Sequence, residues 1–319
     1  MTSSTSPQRV AVVINPSKYG ADSARDTIVV TCRKAGWPDP IFHETTVDDP
    51  GTSMAQAALA DGADVVLAAG GDGTVRTVAE VMAHSGTPLG LIPLGTGNLL
   101  ARNLGAHLGD IHHSVDVALF GDQRHLDMVS FTTENMRGES FTHALCVMGG
   151  AGFDAEIMSN TRDELKRQIG WMAYTEAGMR RLAVDPVWTR YSIDDGPWQT
   201  KRLRSIMAAN CGVLTGGLVL VPDAKLNDGL MDVVVIAPRG PLGWVSLTSK
   251  IIFKQRHDLP SMEHYACKKL RVEFHKPTES QIDGDGLGRV TFFEAKIMPE
   301  ALALQVPPSQ GDSENDVIR

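Results

Sequence analysis

Residues 64–77 read DVVLAAGGDGTVRT, an apolar strand followed by a glycine turn and the start of a helix. The apolar run that ends at Ala69 is typical of a strand buried on both faces. Apolar residues then recur at helical spacing at Val75, Val78, Ala79 and Met82. A strand, a tight glycine turn and a helix in this order predict an α/β fold with a parallel sheet.

The turn itself, GGDGT at 70–74, has the composition of a phosphate site. Glycines at 70, 71 and 73 let a ligand approach the backbone, and the helix that follows offers free N–H groups. Asp72 is out of place there, because two unit negative charges ~4 Å apart at an effective dielectric of ~20 repel by about 4 kcal/mol. A cation must accompany the phosphates, and Mg²⁺ is the usual partner of nucleoside triphosphates.

The first third of the chain continues the alternation of strand and helix. Strands are predicted at 9–14, 40–43, 64–69 and 88–92, with helices at 22–34, 52–59 and 74–84 between them. The strand at 88–92 leads into a second glycine turn, PLGTGN at 93–98. In parallel sheets ligands bind beyond the carboxyl ends of the strands, so we expect the two turns to lie close together.

The pattern changes after about Asp127. Seven strand-like segments follow, at 128–132, 142–148, 189–193, 204–209, 231–236, 270–275 and 289–293, and Asp-Gly turns separate them. This predicts a nucleotide-binding α/β domain over 1–127 and a mainly antiparallel β-sandwich over 128–306. The final strand near 300–306 is a candidate to return to the first domain. Two helices are predicted at 164–182 and 242–254, and the polar residues 307–319 form a disordered tail.

Composition narrows the class of protein. The net charge is −8, which argues against a broad nucleic-acid surface. The four cysteines contain no CxxC pair, and the polar N-terminus lacks the apolar core of a signal peptide. The longest apolar stretch, 206–222, is interrupted by glycines and is too short to span a bilayer. We therefore expect a cytoplasmic protein whose contact with membrane is peripheral, at the inner face.

Two common nucleotide motifs are excluded. Neither glycine turn matches GxxxxGK[ST], and neither matches GxGxxG with a following acid. Taken alone, GGDGT is also compatible with a simple turn between strand and helix, and IDGDG at 282–286 with a simple hairpin.

Four blocks together are more specific: GGDGT, PLGTGN, AKLNDGLMDV at 224–233 and QIDGDG at 281–286. In their order and number they resemble the soluble diacylglycerol kinase and sphingosine kinase family of lipid kinases. The resemblance covers residues from about Val10 to Val306, and Asn15-Pro16 resembles the opening motif of that family. NAD kinases and phosphofructokinases share only the first block.

The resemblance implies roles for individual residues. The ATP-binding residues would be Asn15, Thr46, Gly70, Gly71, Asp72, Gly73, Thr74, Gly95, Thr96 and Asn98. The Mg²⁺ ligands would be Asp72, with Asp127 in the same acidic network, and a second, structural site of Asp228 with main-chain carbonyls near Lys225 and Leu230. The proton acceptor would be Asp285, which stands where the family has glutamate, with Asp283 and Asp72 as the alternatives.

The chain departs from the family pattern at two places. Leu99 replaces an aspartate that is common after the asparagine of the second turn, and Arg76-Thr77 replace Asn-Glu after the first. The resemblance implies an ATP- and Mg²⁺-dependent lipid kinase that converts diacylglycerol to phosphatidic acid. The alternatives are a sphingosine- or ceramide-type kinase, then an NAD kinase, or a nucleotide-binding regulatory protein with little turnover.

Lipid access is the least defined part of the sequence. The helix at 164–182 has an apolar stripe that suits a core as well as a lipid pocket. The helix at 242–254 carries lysines opposite its apolar side and suits either an anionic membrane surface or packing on the sheet. We expect a diacylglycerol-like membrane lipid as the partner, no nucleic acid, and a possible homodimer.

Overall fold

A parallel sheet of four strands forms the first third of the chain, as the alternating pattern predicts. In the computed structural model, which describes residues 8–152, 186–213, 219–237 and 262–308, these strands are β1 (Val10–Ile14), β2 (Ile41–Glu44), β3 (Val65–Gly70) and β4 (Leu89–Pro93). They lie in the order β4–β3–β1–β2, and every neighbouring pair is parallel. Their carboxyl ends therefore meet at one edge.

Helices cover both faces of this sheet. They are α1 (Ala21–Lys34), α2 (Thr52–Ala60), α3 (Asp72–Met82), α4 (Leu99–Asn103) and α5 (Ile111–Phe120). One face packs on α1 and α5 through a core cluster that includes Ile28 and Val115. The other face packs on α2 and α3 through a cluster that includes Val78 and Met82. Sequence periodicity predicts α1, α2 and α3 but not α4 and α5.

The second half is mainly antiparallel. Its strands are β5 (Asp122–Asn135), β6 (Ser140–Leu145), β7 (Met148–Gly152), β8 (Val187–Ile193), β9 (Gln199–Leu203), β10 (Ser205–Ala209), β11 (Met231–Ile236), β12 (Met262–Cys267), β13 (Lys269–Ile282) and β14 (Asp285–Val306). They enclose a third core cluster, in which Tyr191, Phe131 and Phe293 are buried completely. The fold class is therefore an α/β domain with a parallel sheet, followed by a mostly antiparallel β domain.

The two halves are joined through β14. Near its end this strand pairs in parallel with β4, with Leu304 opposite Leu89, while the same stretch pairs with the start of β5. The described strands thus form one continuous hydrogen-bonded network. The predicted boundary at Asp127 falls inside β5, which begins at Asp122.

One strand prediction is wrong in a way that bears on the site. Residues 142–148 were expected to form a single strand, but they belong to β6 and β7 with a break at Cys146 and Val147. The N–H groups of these two residues donate to the carboxylate of Asp283 instead of to a neighbouring strand. An apolar sequence run cannot reveal such a break, because the partner lies far along the chain.

The helices predicted at 164–182 and 242–254 lie outside the described residues, as does the tail from residue 309 onwards. Within the described parts of the chain, no helix has the length and apolar character needed to cross a membrane.

Candidate active site

The loops that follow the four parallel strands meet at the carboxyl edge of the sheet. Asn15 follows β1, and its N–H donates to the carbonyl of Ala69 at 2.9 Å. Thr46 follows β2 and is exposed, and its hydroxyl accepts from the N–H of Asp49 at 3.1 Å. These two predicted nucleotide contacts therefore border the same edge as the glycine turns.

The first glycine turn is shorter than the sequence suggested, because α3 begins at Asp72 rather than Thr74. Gly71 is the N-cap residue, in an extended conformation. Gly70 is required by crowding, since a Cβ there would lie 2.6 Å from the Cβ of Thr74. The first N–H groups of α3 have no partner within the helix, and they point toward the space above the turn.

The second glycine turn lies directly against the first, as expected for neighbouring parallel strands. A Cβ on Gly95 would come within 2.7 Å of the Cα of Gly71. The side chain of Asn98 folds back on this turn, accepting from the N–H of Gly95 and donating to its carbonyl at 3.0 and 2.7 Å. Asn98 therefore shapes the turn, whereas Thr96 is exposed and free to contact a ligand.

Asp72 connects the two turns. Its Oδ2 accepts from the N–H of Asn98 at 3.0 Å, and its Oδ1 accepts from the N–H of Leu99 at 2.6 Å. Gly97 packs so closely on the carboxylate that a Cβ would overlap it. Two amide dipoles therefore stabilise the negative charge, and each oxygen keeps a lone pair for a metal-bound water.

The same geometry explains the departure at Leu99. Its side chain is buried in the core cluster that also contains Val78 and Met82, while its N–H donates to Asp72. The side chain at this position thus faces apolar neighbours, so a leucine suits it in this chain.

Lys18 is a candidate ligand that the sequence analysis missed. Its ammonium nitrogen lies 3.8 Å from the position that a Cβ on Gly71 would occupy. A cation over the first glycine turn suits the phosphates of a nucleotide. The only sequence signal is a lysine three residues after Asn15, in the loop that follows β1.

The second domain reaches this edge through the turn between β13 and β14. Asp285 is about half exposed, and its Oδ2 lies 3.4 Å from the position of a Cβ on Gly73, over the first turn of α3. Arg76 of α3 donates from Nη2 to the same oxygen at 2.9 Å. The predicted proton acceptor is thereby placed beside the first glycine turn.

Asp283 has a different environment from Asp285. It is 5% exposed, and its carboxylate accepts from the N–H groups of Cys146, Val147 and Met148 at 2.8–3.0 Å. Burial raises the pKa of Asp283 from 3.8 to about 6, although the three hydrogen bonds and nearby Arg76 act in the opposite direction. A carboxylate that is already engaged in this way anchors the strand break, so the geometry favours Asp285 over Asp283 as proton acceptor.

Asp127 is also engaged by the backbone. It is 2% exposed, and its two oxygens accept from the N–H groups of Gly229 and Glu300 at 2.7 and 2.8 Å. No group of three or more acidic, histidine or cysteine side chains that could hold a metal occurs among the described residues. The carboxylate of Asp127 therefore anchors the backbone at Gly229 and Glu300, and its part in an acidic network with Asp72 stays a prediction.

The loop that Asp127 holds contains the second predicted metal site. Asp228 is exposed, and its Oδ1 accepts from the N–H of Leu230 at 3.1 Å. The side-chain oxygen of Asn227 in the same loop is buried without a hydrogen-bond partner. A carboxylate, main-chain carbonyls at Lys225 and Leu230 and an orphaned amide oxygen form a set of hard oxygen donors, which fits Mg²⁺ or Ca²⁺.

Comparison with known proteins gives two family models that match this chain. A family model described as "Diacylglycerol kinase catalytic domain" matches residues 9–131, and one described as "YegS C-terminal NAD kinase beta sandwich-like domain" matches residues 148–306. A protein of Pseudomonas aeruginosa named "Probable lipid kinase YegS-like" is 30% identical over 306 residues, which cover 94% of each chain. A protein of Xanthomonas euvesicatoria with the same name is 29% identical and covers 72% of this chain and 74% of its own.

Solved structures share the fold. A diacylglycerol kinase from Bacillus anthracis superposes with a TM-score of 0.69 at 18% identity, covering 95% of this chain and 98% of that one. A yeast NADH kinase complexed with NADH superposes with a TM-score of 0.52 at 11% identity, covering 96% and 85%. These likenesses concern the fold, whereas the relatives identify the family. The chain belongs to the YegS-like lipid kinases, a family built on the diacylglycerol kinase catalytic domain.

Proposed function

We propose that this protein transfers the γ-phosphoryl group of ATP to the hydroxyl of a diacylglycerol-like lipid and so forms a phosphatidic acid. The observation that carries the proposal is the position of Asp285. A half-exposed carboxylate from the second domain lies over the first turn of α3, next to the first glycine turn. One site thus combines a phosphate cradle with a proton acceptor, which is what phosphoryl transfer to an alcohol needs.

The phosphates would lie on the edge formed by the two touching turns. The free N–H groups at the start of α3 and the ammonium group of Lys18 would bind their oxygens. Asn98 keeps the second turn folded, and Asp72 holds the two turns in register. The exposed loops after β1 and β2, with Asn15 and Thr46, border the remainder of the nucleotide.

The lipid hydroxyl would approach from the side of the second domain. Asp285 would accept its proton as the oxygen attacks the γ-phosphorus, since a general base must come within hydrogen-bond reach of the proton it removes. No covalent intermediate with the enzyme is needed, because positioning and charge stabilisation supply most of the rate in phosphoryl transfer.

Mg²⁺ is the cofactor that we propose for both carboxylate sites. When bound, it would neutralise phosphate charge next to Asp72 and stabilise the loop at Asp228. Asp72 would act through water, because both of its oxygens already accept amide hydrogen bonds. Asp228 has an exposed carboxylate for direct ligation.

Diacylglycerol is the first choice of substrate because the matching catalytic-domain family and the solved structures carry that name. A sphingosine- or ceramide-type lipid is the second choice. An NAD kinase is the third, since the yeast NADH kinase shares the fold. We further propose that the protein works in the cytoplasm against the inner face of the membrane, where such a lipid resides.

The deciding experiment is incubation with γ-labelled ATP, Mg²⁺ and a panel of diacylglycerol, sphingosine, ceramide and NAD, with the labelled product separated and identified. Label in phosphatidic acid supports the proposal, and label in NAD alone refutes it. The variant Asp72→Asn serves as the negative control: it should abolish transfer while the protein remains folded. Full lipid phosphorylation by that variant would remove Asp72 from the chemistry.

A further inference from the structure

Arg76 occupies an unusual position between the two domains. It lies on α3, one turn after the first glycine turn, and its side chain is only 15% exposed. Its Nη2 donates to the Oδ2 of Asp285 at 2.9 Å, across 209 residues of sequence. Its Nη1 lies 3.8 Å from the Oε2 of Glu80, one turn further along the helix. The guanidinium is thus fixed on the α3 side and reaches to the turn of the second domain.

The two partners are buried to different degrees. The Asp285 side chain is 51% exposed, whereas most of the arginine is removed from water. Ion pairs of this kind contribute little to stability, because desolvation offsets much of the attraction. The ion pair does have one definite geometric effect. It holds the short side chain of Asp285 in a single position beside the first glycine turn.

Only one of the two carboxylate oxygens is used in this way. Among the described residues, Oδ2 of Asp285 accepts from Arg76, and none donates a hydrogen bond to Oδ1. Oδ1 is therefore accessible, whereas Oδ2 of the same carboxylate is held over Gly73. A base prepared for a hydroxyl needs this combination of one fixed oxygen and one accessible oxygen.

We propose that Arg76 is a positioning residue for the proton acceptor, an inference that rests on the proposed lipid kinase function. Arg76 holds Asp285 over the first turn of α3 so that Oδ1 faces the incoming hydroxyl. It does so from the nucleotide domain, so the base is aligned only when the second domain lies against α3. Arg76 itself contacts neither the phosphates nor the lipid.

A double-mutant cycle tests this proposal. Transfer of label from ATP to dioleoylglycerol in detergent micelles is measured for the unmodified protein, Arg76→Asn, Asp285→Asn and the double variant. Arg76→Asn should lower kcat about 10- to 100-fold and change KM for ATP by less than about twofold. Asp285→Asn should lower kcat about 100- to 10,000-fold. In the Asp285→Asn background, loss of Arg76 should change kcat by less than about threefold, because no carboxylate remains to be positioned.

The controls separate positioning from folding. Arg289→Asn removes an ion pair of the same length, 2.9 Å to Glu279, on the same hairpin but away from the site, and should keep full activity. Arg76→Lys preserves the charge and should recover part of kcat. If Arg76→Asn melts below the assay temperature, the cycle is run with Arg76→Lys in its place, and the same non-additivity is expected.

Two results would overturn the inference. Multiplicative losses in the double variant would show that Arg76 acts independently of Asp285, and an increase in KM for ATP with kcat unchanged would make it a phosphate ligand. The proposed function fails separately, if the unmodified protein labels no lipid in the same assay. If the unmodified enzyme is active and the losses of kcat in the double variant multiply, only the role of Arg76 is refuted.

Discussion

The substitution Asp283→Asn should change how the stability of this protein depends on pH. Burial raises the pKa of this carboxyl from 3.8 to about 6. A carboxyl with a raised pKa in the folded state binds more protons there than in the unfolded chain. Its contribution to stability is therefore complete below the unfolded pKa and is lost as the pH rises through the folded pKa.

The magnitude follows from the size of the shift. A difference of about two pKa units corresponds to about 3 kcal/mol, and roughly 1 kcal/mol of it is lost between about pH 5 and about pH 7. The asparagine variant carries no charge at this position and should lack this loss. The free energy of unfolding of the variant should therefore improve relative to the unmodified protein by about 1 kcal/mol over that interval.

A second effect is independent of pH and has the opposite sign. Asparagine offers one oxygen for the N–H groups of Val147 and Met148, but its NH₂ group would face the N–H of Cys146. An unsatisfied buried donor costs about 1–3 kcal/mol. This cost lowers the free energy of unfolding of the variant by the same amount at every pH. The slope of that free energy against pH is therefore the diagnostic quantity.

Urea unfolding at a series of pH values, followed by circular dichroism, measures both effects. Asp194→Asn is the matched control, because Asp194 is also a turn residue with positive φ, and its carboxylate accepts from the N–H groups of Lys268 and Lys269. Asp194 is exposed, so its substitution relieves no buried charge. If the curves for Asp283→Asn and the unmodified protein run parallel between about pH 5 and about pH 7, the raised pKa of Asp283 is refuted.

Three further predictions concern the nucleotide edge and the metal loop. Gly97→Ala would push the second turn off Asp72 and should weaken ATP binding about tenfold by calorimetry; an unchanged Kd would contradict the tight contact. Lys18→Ala should raise KM for ATP about tenfold with little change in kcat, and Lys18→Arg should recover most of it; a selective fall in kcat would argue against a ground-state phosphate contact. Mg²⁺ should raise the melting temperature of the unmodified protein more than that of Asp228→Asn, and equal shifts in both would remove Asp228 from the metal site.

Local patterns predict the four parallel strands and the first three helices of the nucleotide half, but not α4 and α5. The strand at 64–69 and the helix after it are found at Val65–Gly70 and Asp72–Met82, because a fully apolar run and a 3.6-residue period are properties of short segments. The contact between the two glycine turns was also predictable, since neighbouring parallel strands must bring their carboxyl ends together.

Contacts between distant segments were not predictable in the same way. The ion pair between Arg76 and Asp285 joins positions 209 residues apart. In the sequence, each of these residues alone has the character of an exposed charged side chain. The three amides that bind Asp283 come from a run that sequence periodicity assigns to one strand. Single-sequence patterns report on local conformation, whereas these contacts depend on how the two halves dock.

The GGDGT motif indicates a phosphate site, but it does not reveal the hydrogen bonds of Asp72. From the sequence alone, a cation is the only feature that offsets its charge in a phosphate site. The structure adds that the N–H groups of Asn98 and Leu99 bind both carboxylate oxygens, so the folded protein stabilises the charge before any cation arrives. An aspartate held in this way keeps the second glycine turn against the first even without ligand. The nucleotide edge is therefore preorganised by Asp72, and the part that depends on domain docking is the approach of Asp285.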